Sequence, residues 1–354
     1  MRRTVCLVAL CVVALSVAVL AASPAPELSE RTRAVLAFDH EYVKAANNAS
    51  SNMLQKGGKT MTTTYDYDTA TKLFWHSVTA YCTDDPSLQD WSCTSCKQFG
   101  SFKLTAIMDD TANQGYVGYF TQGLPKTPIP GSIIGANEPF VVVSFRGTVP
   151  KDLKDWIEDL SFSKQAVFSS KYPSVAVHSG FWGAYQDMKP KMMAGLATAF
   201  SDSGARALIV TGHSLGAAMA ELAALDLKLN EYPDKIYASY TQGTPRPGNP
   251  AFAALYAQSI AASFREIHQA DCVPHLPPMV LGFQHGPVEV FFNEAFSKYQ
   301  VCSGNNGEDP SCSDSLLMPV SIPDHLTYHG IDVGAYCSSS AKVNVPKAVQ
   351  VKKL

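Results

Sequence analysis

The sequence has few charged residues, and its charge is not concentrated anywhere. Asp, Glu, Lys and Arg make up 17% of the 354 residues, and the formal net charge is −3. Globular domains usually carry about a quarter charged residues. Nucleic-acid-binding domains cluster Lys and Arg into a basic patch, and this chain has no basic block. We therefore expect no nucleic acid among its partners.

Long apolar runs are also scarce, because the sequence contains a single one, over residues 5–22. Two arginines precede this run and small residues follow it. The pattern predicts a secretory signal peptide over residues 1–22 and hence a secreted, extracellular protein. An uncleaved signal anchor is the alternative, since the run is near the lower length limit for a membrane span. In an exported chain, Asn48-Ala49-Ser50 is a candidate glycosylation site.

The apolar content of 46% is sufficient for a large core. Strand-like runs such as 141–145 and 207–211 alternate with helical patterns. This alternation predicts an α/β fold with a mostly parallel central sheet and helices on both faces. With no internal repeat and no clear linker, we expect one domain over residues 66–354. Residues 23–65 form an N-terminal extension or a propeptide.

Two local predictions concern the edges of this domain. Asp68 is predicted to cap a helix that runs to Tyr81. Residues 288–300 are predicted to form a hairpin.

Nine cysteines are present, and two of them lie in the signal sequence. Six of the remaining seven can form three bridges in an oxidising compartment. Close spacing suggests Cys93 with Cys96, and Cys302 with Cys312 across a polar stretch. Cys82 and Cys337 then lie near the two ends of the remaining chain. Cys272 is left over, and we expect it to be a buried thiol that packs as a small apolar group. No metal site is expected, because Cys93-x-x-Cys96 lacks a second ligand pair.

The strongest motif is Gly212-His213-Ser214-Leu215-Gly216. It lies between a buried-strand pattern and an alanine-rich helix, which is the context a G-x-S-x-G nucleophile elbow requires. The alternative is a glycine-flanked turn with a capping serine. The sequence therefore predicts that Ser214 is a nucleophile and that His213 fills the elbow.

A nucleophilic serine needs a base and an orienting acid, which follow it along the chain in this fold. Asp271 directly follows a strand pattern and is the candidate acid. His325 and His329 are the candidate bases, and their spacing does not distinguish them. His275 is a poor candidate because it lies only four residues after Asp271.

An oxyanion hole needs two backbone N–H groups. Leu215 follows the nucleophile and supplies one, and the loop 146–148 after an earlier strand is the candidate for the other. A short amphipathic helix comes next, with an apolar stripe of Leu153, Trp156, Ile157 and Leu160. It is either an ordinary surface helix or a movable lid.

The chain resembles the secreted fungal-type lipases of the class 3 lipase family, within the α/β-hydrolases. The resemblance covers roughly residues 66–337. It rests on VVVSFRGT, DWIEDL, VHSGFWGAY, VTGHSLGAAMA, QGTPRPGN, DCVPHLPP and DHLTYHGID, which occur in family order.

The resemblance implies a single-domain α/β-hydrolase that cleaves acylglycerols as a triacylglycerol lipase, without a cofactor. It implies Ser214 as nucleophile, Asp271 as acid and His325 as base. Thr148 contributes an oxyanion N–H and a hydroxyl, and Asp159 tethers that hydroxyl. The resemblance also implies the three disulfide pairs proposed above, and the lid residues are Leu153, Trp156 and Ile157.

Lipid or ester substrates and transient contact with a lipid interface are therefore expected, and no obligate protein partner is evident. A soluble carboxylesterase, a feruloyl esterase or a phospholipase A1 is the alternative, because the lid region is unusually charged. A catalytically silent binding protein on the same fold is a remoter alternative.

Overall fold

A computed structural model describes most of the chain. The described residues are 28–50, 65–83, 85–110, 112–122, 138–168, 171–260, 262–302, 307–337 and 352–353. The predicted signal peptide, residues 1–22, lies outside them. Asn48 lies in a described helix, but its side chain falls outside what is described. Within the described part of the chain, no helix is long and apolar enough to cross a membrane.

Seven helices longer than a single 3-10 or π turn lie in these ranges. They are α1 (Glu30–Ser50), α2 (Tyr67–Thr79), α3 (Leu153–Asp159), α4 (Ser179–Ser203), α5 (Leu215–Asp226), α6 (Pro250–Ser259) and α7 (Ile322–Leu326).

The strands of the central sheet are β1 (Phe102–Asp109), β2 (Gln114–Phe120), β3 (Phe140–Phe145), β6 (Ala207–His213), β7 (Ile236–Gln242), β8 (Ala262–His268), β9 (Glu289–Phe292), β10 (Lys298–Val301) and β13 (Lys352–Lys353). Two small ribbons are formed by β4 (Lys164–Ala166) with β5 (Ala176–His178), and by β11 (Thr327–Tyr328) with β12 (Ile331–Asp332).

The nine strands of the sheet follow the order β1-β2-β3-β6-β7-β8-β9-β10-β13. The five strands from β3 to β9 run parallel, while β1 and β2 pair antiparallel with their neighbours; β10 is antiparallel to β9 and parallel to β13. Parallel strands expose their carboxyl ends at one edge, where sites form in such sheets. The predicted α/β fold with a mostly parallel sheet is confirmed.

Helices cover both faces of the sheet, as predicted. Alternation along the strands sends Val142 and Ile209 into the core beneath α2, and Val141 and Leu208 into the core beneath α4, α5 and α6. The central strands are therefore buried on both sides, which explains their continuous apolar sequences.

The prediction that Asp68 caps α2 is wrong by two residues. The N-cap is Asp66, whose carboxylate accepts a hydrogen bond from the Thr69 N–H at 2.8 Å. Asp68 lies in the first turn, where its charge still suits the helix N-terminus. The helix ends at Thr79, and a separate 3-10 turn carries Tyr81. The hairpin predicted over residues 288–300 is confirmed as β9 and β10.

Three disulfide bonds join the predicted pairs. Cys82 bonds to Cys337, Cys93 to Cys96, and Cys302 to Cys312. Cys272 is buried and takes no part in these bridges. It lies in an apolar cluster with Val273 and Leu276, behind the loop that carries Asp271.

Thiol titration tests this arrangement of cysteines. For protein that lacks the predicted signal peptide, we expect the native state to show no rapidly reacting thiol, because Cys272 has no exposed surface. Unfolding without reductant should release one thiol per chain. Rapid modification of the folded protein at Cys272 would contradict the burial, and a count of three would show that Cys6 and Cys11 had been retained and unbridged.

Candidate active site

Ser214 occupies the sharp turn between β6 and α5. Its backbone has φ 61° and ψ −130°, an unusual conformation for a residue with a side chain. Such strain costs roughly 1–3 kcal/mol and persists only where the surroundings impose it. One such restraint is the hydrogen bond from the Ser214 N–H to the Gln242 carbonyl at 3.0 Å. This is the geometry of a nucleophile elbow.

The two motif glycines are required by close backbone approaches. A Cβ on Gly212 would lie 2.4 Å from the Gly216 carbonyl oxygen, and one on Gly216 would lie 2.2 Å from the Phe145 oxygen. Either distance is too short for a side chain. The elbow therefore packs against both its own helix and the end of β3.

The predicted acid and base lie side by side at the carboxyl edge of the sheet. His325 Nδ1 lies 2.9 Å from both carboxylate oxygens of Asp271, and neither residue has exposed surface. A carboxylate only accepts, so Nδ1 carries the proton and donates it. In the neutral ring Nε2 is then unprotonated, which is the form that can accept a proton from a serine.

Asp271 is held as a carboxylate by several donors. Tyr328 OH donates to its Oδ2 at 2.6 Å, and the Val273 N–H donates to its Oδ1 at 2.9 Å. Burial opposes ionisation, but the neighbouring His325 and these hydrogen bonds outweigh it, so the pKa of Asp271 is below its usual value. Sequence reasoning missed Tyr328, although it stands three residues after His325 in the DHLTYHGID motif.

Ser214 Oγ and His325 Nε2 are both buried, and neither has a hydrogen-bond partner among the described residues. The structure thus does not join nucleophile and base by a direct hydrogen bond. Such bonds are often loose without substrate and tighten when the reacting complex forms. The two unsatisfied atoms are the polar groups that a bound ester would engage.

His213 connects the elbow to the histidine loop. Its Nε2 donates to the His325 carbonyl at 2.7 Å, and its Nδ1 accepts from Tyr81 OH at 2.7 Å. Burial, reinforced by the nearby His325 ring, lowers the pKa of His213 to about 3. His213 is therefore neutral at ordinary pH and serves as a spacer, consistent with the predicted elbow-filling role.

His329 lies away from Asp271, and its Nε2 instead lies 3.0 Å from Glu266 Oε2. Its other nitrogen lies 3.0 Å from Thr71 Oγ1. Of the two candidate bases, the structure brings only His325 to the acid. Spacing could not separate them, because the distinction depends on which carboxylate each side chain reaches in the folded chain.

The predicted oxyanion groups flank Ser214. Leu215 is the first residue of α5, so its N–H is among the unpaired donors of a helix N-terminus. The loop that carries Thr148 presses against the elbow, since a Cβ on Gly147 would lie 2.9 Å from Ser214 Cβ. Thr148 Oγ1 is buried and has no partner among the described residues.

The predicted tether between Asp159 and the Thr148 hydroxyl is not formed. Asp159 is exposed at the end of α3, and Thr148 Oγ1 is one of the unsatisfied buried atoms. The reason is the docked position of α3, which turns the end of the helix toward solvent. The prediction of Asp159 as a tether is therefore wrong for this conformation.

The helix predicted as a lid, α3, packs against the loop that carries Asp271. Leu153 and Ile157 are buried against Val273 and Leu276 of the acid loop. The Trp156 ring lies 6.3 Å from the Phe181 ring. Because Ser214 has no exposed surface, a substrate cannot reach it until some element moves.

The N-terminal extension packs on this lid. Leu28 and Leu36 belong to the same apolar cluster as Leu153. Glu158 on α3 accepts hydrogen bonds from the Ser29 N–H at 2.7 Å and from the Ser29 and Thr32 hydroxyls. The carboxylate thereby caps the start of α1, where a negative charge is favourable.

A buried ion cluster anchors the other side of α1. Arg246 has no exposed surface; it donates to Asp39 Oδ2 at 2.8 Å and forms a two-point pair with Glu308. Asp39 also accepts from the Met279 N–H. Removing one partner of such a pair leaves a buried charge uncompensated. Arg246 therefore has the structural role expected of it and links α1 to the main domain.

Among the described residues, one group has the spacing of metal ligands: Glu289, Cys302 and Cys312. The two cysteines are joined in a disulfide, so their sulfurs are not available as thiolates.

Comparison with known proteins identifies relatives over most of the chain. The family Lipase (class 3) matches residues 142–281. A lipase of Rhizopus niveus is 32% identical over 299 residues, covering 81% of this chain and 70% of the relative.

Two solved structures share the fold and cover most of both chains. One, described as a triacylglycerol lipase whose catalytic centre is a serine protease triad, is 27% identical with a TM-score of 0.62, covering 75% of this chain and 95% of the other. A Rhizomucor miehei lipase propeptide complex is 25% identical with a TM-score of 0.61, covering 82% and 94%. With these matches in sequence and fold, the chain belongs to the class 3 lipase family, within the α/β-hydrolases.

Proposed function

We propose that this protein is a serine ester hydrolase that cleaves acylglycerols, a triacylglycerol lipase. The observation that carries the proposal is the buried His325–Asp271 pair beside a strained Ser214 elbow. The related structure whose catalytic centre is a serine protease triad supports the same chemistry.

In the proposed mechanism, Ser214 Oγ attacks the ester carbonyl carbon while His325 Nε2 takes its proton. Asp271 holds the ring tautomer and stabilises the imidazolium. The Leu215 and Thr148 N–H groups receive the oxyanion. His325 then returns the proton to the departing alcohol, leaving an acyl-enzyme. Water attacks this ester by the same proton path, releases the acid and restores Ser214.

A lipid substrate is favoured by the apolar surfaces around the site. The lid turns Leu153 and Ile157 inward, while Lys154, Asp155 and Asp159 are exposed. An apolar groove of about 510 Å³ lies alongside. Its walls are Val35 and Phe38 on α1, facing Phe162, Pro278, Val280 and Leu281. We infer that the apolar face of Phe162, Pro278, Val280 and Leu281 takes an acyl chain once α1 has left it, and that the lid opens at a lipid interface.

We further propose that the protein is secreted, with residues 1–22 as its signal peptide. Three disulfide bonds are typical of a protein made for an oxidising compartment. Asn48 remains a proposed glycosylation site.

We also propose that residues 23–65 are a propeptide that holds the lid closed. The support is that α1 contacts the lid through Glu158 and the main domain through Arg246. It also supplies one wall of the apolar groove. The related propeptide complex agrees with such a segment.

The nucleophile is tested by Ser214→Ala. Hydrolysis of a short-chain triacylglycerol should fall by about 10⁴-fold or more, because the oxyanion donors alone provide only residual catalysis. The unfolding temperature should stay close to the wild-type value. Unchanged hydrolysis in a folded variant would exclude the serine mechanism.

The lipid preference is tested by following rate as a triacylglycerol crosses its solubility limit. We expect a rise at the limit that simple saturation does not describe, since the lid opens where its apolar underside meets lipid. A smooth curve, with faster turnover of a phospholipid or a feruloyl ester than of the triacylglycerol, would favour the phospholipase A1 or soluble esterase alternative instead.

The propeptide is tested by placing a protease site within residues 51–64 of the full chain. Cleavage, followed by dilution, should raise the rate on a soluble ester by about tenfold or more. The reason is that α1 can then dissociate and no longer holds the lid closed. Glu158→Gln, in the uncleaved chain, should give part of this increase by weakening the cap on α1.

The matched control is Asp155→Asn, on the exposed side of the same lid helix. It removes the same charge without touching α1 and should leave the rate of the uncleaved chain unchanged. Equal rates before and after complete cleavage and dilution would contradict the proposal.

A further inference from the structure

One buried carboxylate outside the proposed triad is hydrogen-bonded to two residues, one next to the nucleophile's turn and one in the loop of the base. Glu266, in β8, has no exposed surface. Its Oε2 accepts from Gln242 Nε2 at 2.8 Å and from His329 Nε2 at 3.0 Å. Its Oε1 accepts from Tyr65 OH. Three side chains from distant parts of the chain thus converge on one acid.

The first connection from Glu266 leads to the nucleophile. The Gln242 carbonyl accepts the Ser214 N–H at 3.0 Å, and the side chain of the same glutamine is held by Glu266. The other amide atom, Oε1, accepts from Ser77 Oγ at 2.9 Å. The amide is therefore held at both ends, and it fixes the residue that restrains the strained elbow.

The second connection leads to the base. His329 and Gly330 form the two-residue turn between β11 and β12, with φ of 53° and 71°. A positive φ is uncommon for a residue with a side chain. Here the ring is locked by Glu266 on one side and Thr71 on the other. The turn begins four residues after His325, and the strand before it, β11, carries the Tyr328 that donates to Asp271.

A third connection passes through the main chain. The Gly243 N–H donates to the Glu266 carbonyl at 3.0 Å. A Cβ on Gly243 would lie 2.8 Å from the His325 ring, so this backbone is the surface against which the ring rests. Glu266 therefore restrains one wall of the pocket that holds the base.

We propose that Glu266, with His329, is a positioning pair that sets the distance between Ser214 Oγ and His325 Nε2. Glu266 acts through Gln242 on the elbow and through His329 on the histidine loop, and it touches neither reacting atom. The need for such a pair follows from the structure, since no direct bond yet holds Ser214 to His325. This proposal rests on the proposed function.

The test uses two substitutions that preserve local shape in the full chain. Glu266→Gln keeps the side-chain volume but replaces one carboxylate oxygen with an NH2 donor, so the new side chain cannot accept hydrogen bonds from all three partners. His329→Asn keeps a residue that tolerates positive φ but does not reach Glu266. Each should lower kcat by about 10- to 100-fold, the scale of a small misplacement of reacting groups, with KM nearly unchanged.

A second readout is the rate at which a small soluble organophosphate labels Ser214. Measured after cleavage within residues 51–64 and with detergent micelles present to open the lid, it should fall by the same factor as kcat, because phosphorylation of the serine needs the same alignment with His325. The double variant should lose little more than either single one, since both act through one pair.

The matched control is Glu289→Gln. Glu289 is a buried carboxylate in the adjacent strand that pairs with Arg265, at 3.2 Å, and contacts neither the elbow nor the histidine loop. Its loss should lower the unfolding temperature but leave the labelling rate unchanged.

Folded Glu266→Gln and His329→Asn proteins that label at the wild-type rate would overturn the proposal. So would an equal loss of labelling in Glu289→Gln. If the wild-type protein, cleaved and assayed with micelles in the same way, failed to label at Ser214, the proposed function would fail instead.

Discussion

The hydrogen-bonded pair of Asp271 and His325 is the constraint on which the rest of the site depends. Both side chains are fully buried, so the carboxylate exists only because donors surround it. The parallel sheet makes this arrangement feasible, because the segments after β6 and β8 emerge at one edge. The helix α3 and the buried hydrogen-bond network pack around this polar centre, whose acid and base have no exposed surface.

The sequence predicted local features well, because their signals are local. The elbow was evident from a glycine-flanked serine between strand and helix patterns, and Asp271 from its place after a strand. The choice between His325 and His329 needed the resemblance to a family, since it depends on contacts with Asp271 and Glu266, far away along the chain. The helix α3 was recognisable from its apolar stripe, but the position of Asp159 depends on how the helix docks.

Other features could not be predicted from the sequence for a similar reason. Asp39 and Arg246 lie 207 residues apart, and nothing near either one indicates the pairing. Glu266 stands in a strand pattern where a glutamate suggests an exposed position, and its three partners come from three separate segments. Sequence patterns predict which elements form, whereas buried polar networks depend on how those elements meet.

The most direct measurement of the central claim is kcat for Asp271→Asn together with the labelling rate of Ser214. An amide donates to His325 Nδ1 and moves the ring proton to Nε2, the atom that must accept from Ser214. We predict that kcat falls by about 10⁴-fold in a protein that still folds, and that labelling falls with it. A folded variant that kept kcat within tenfold of wild type would contradict this role of the buried pair.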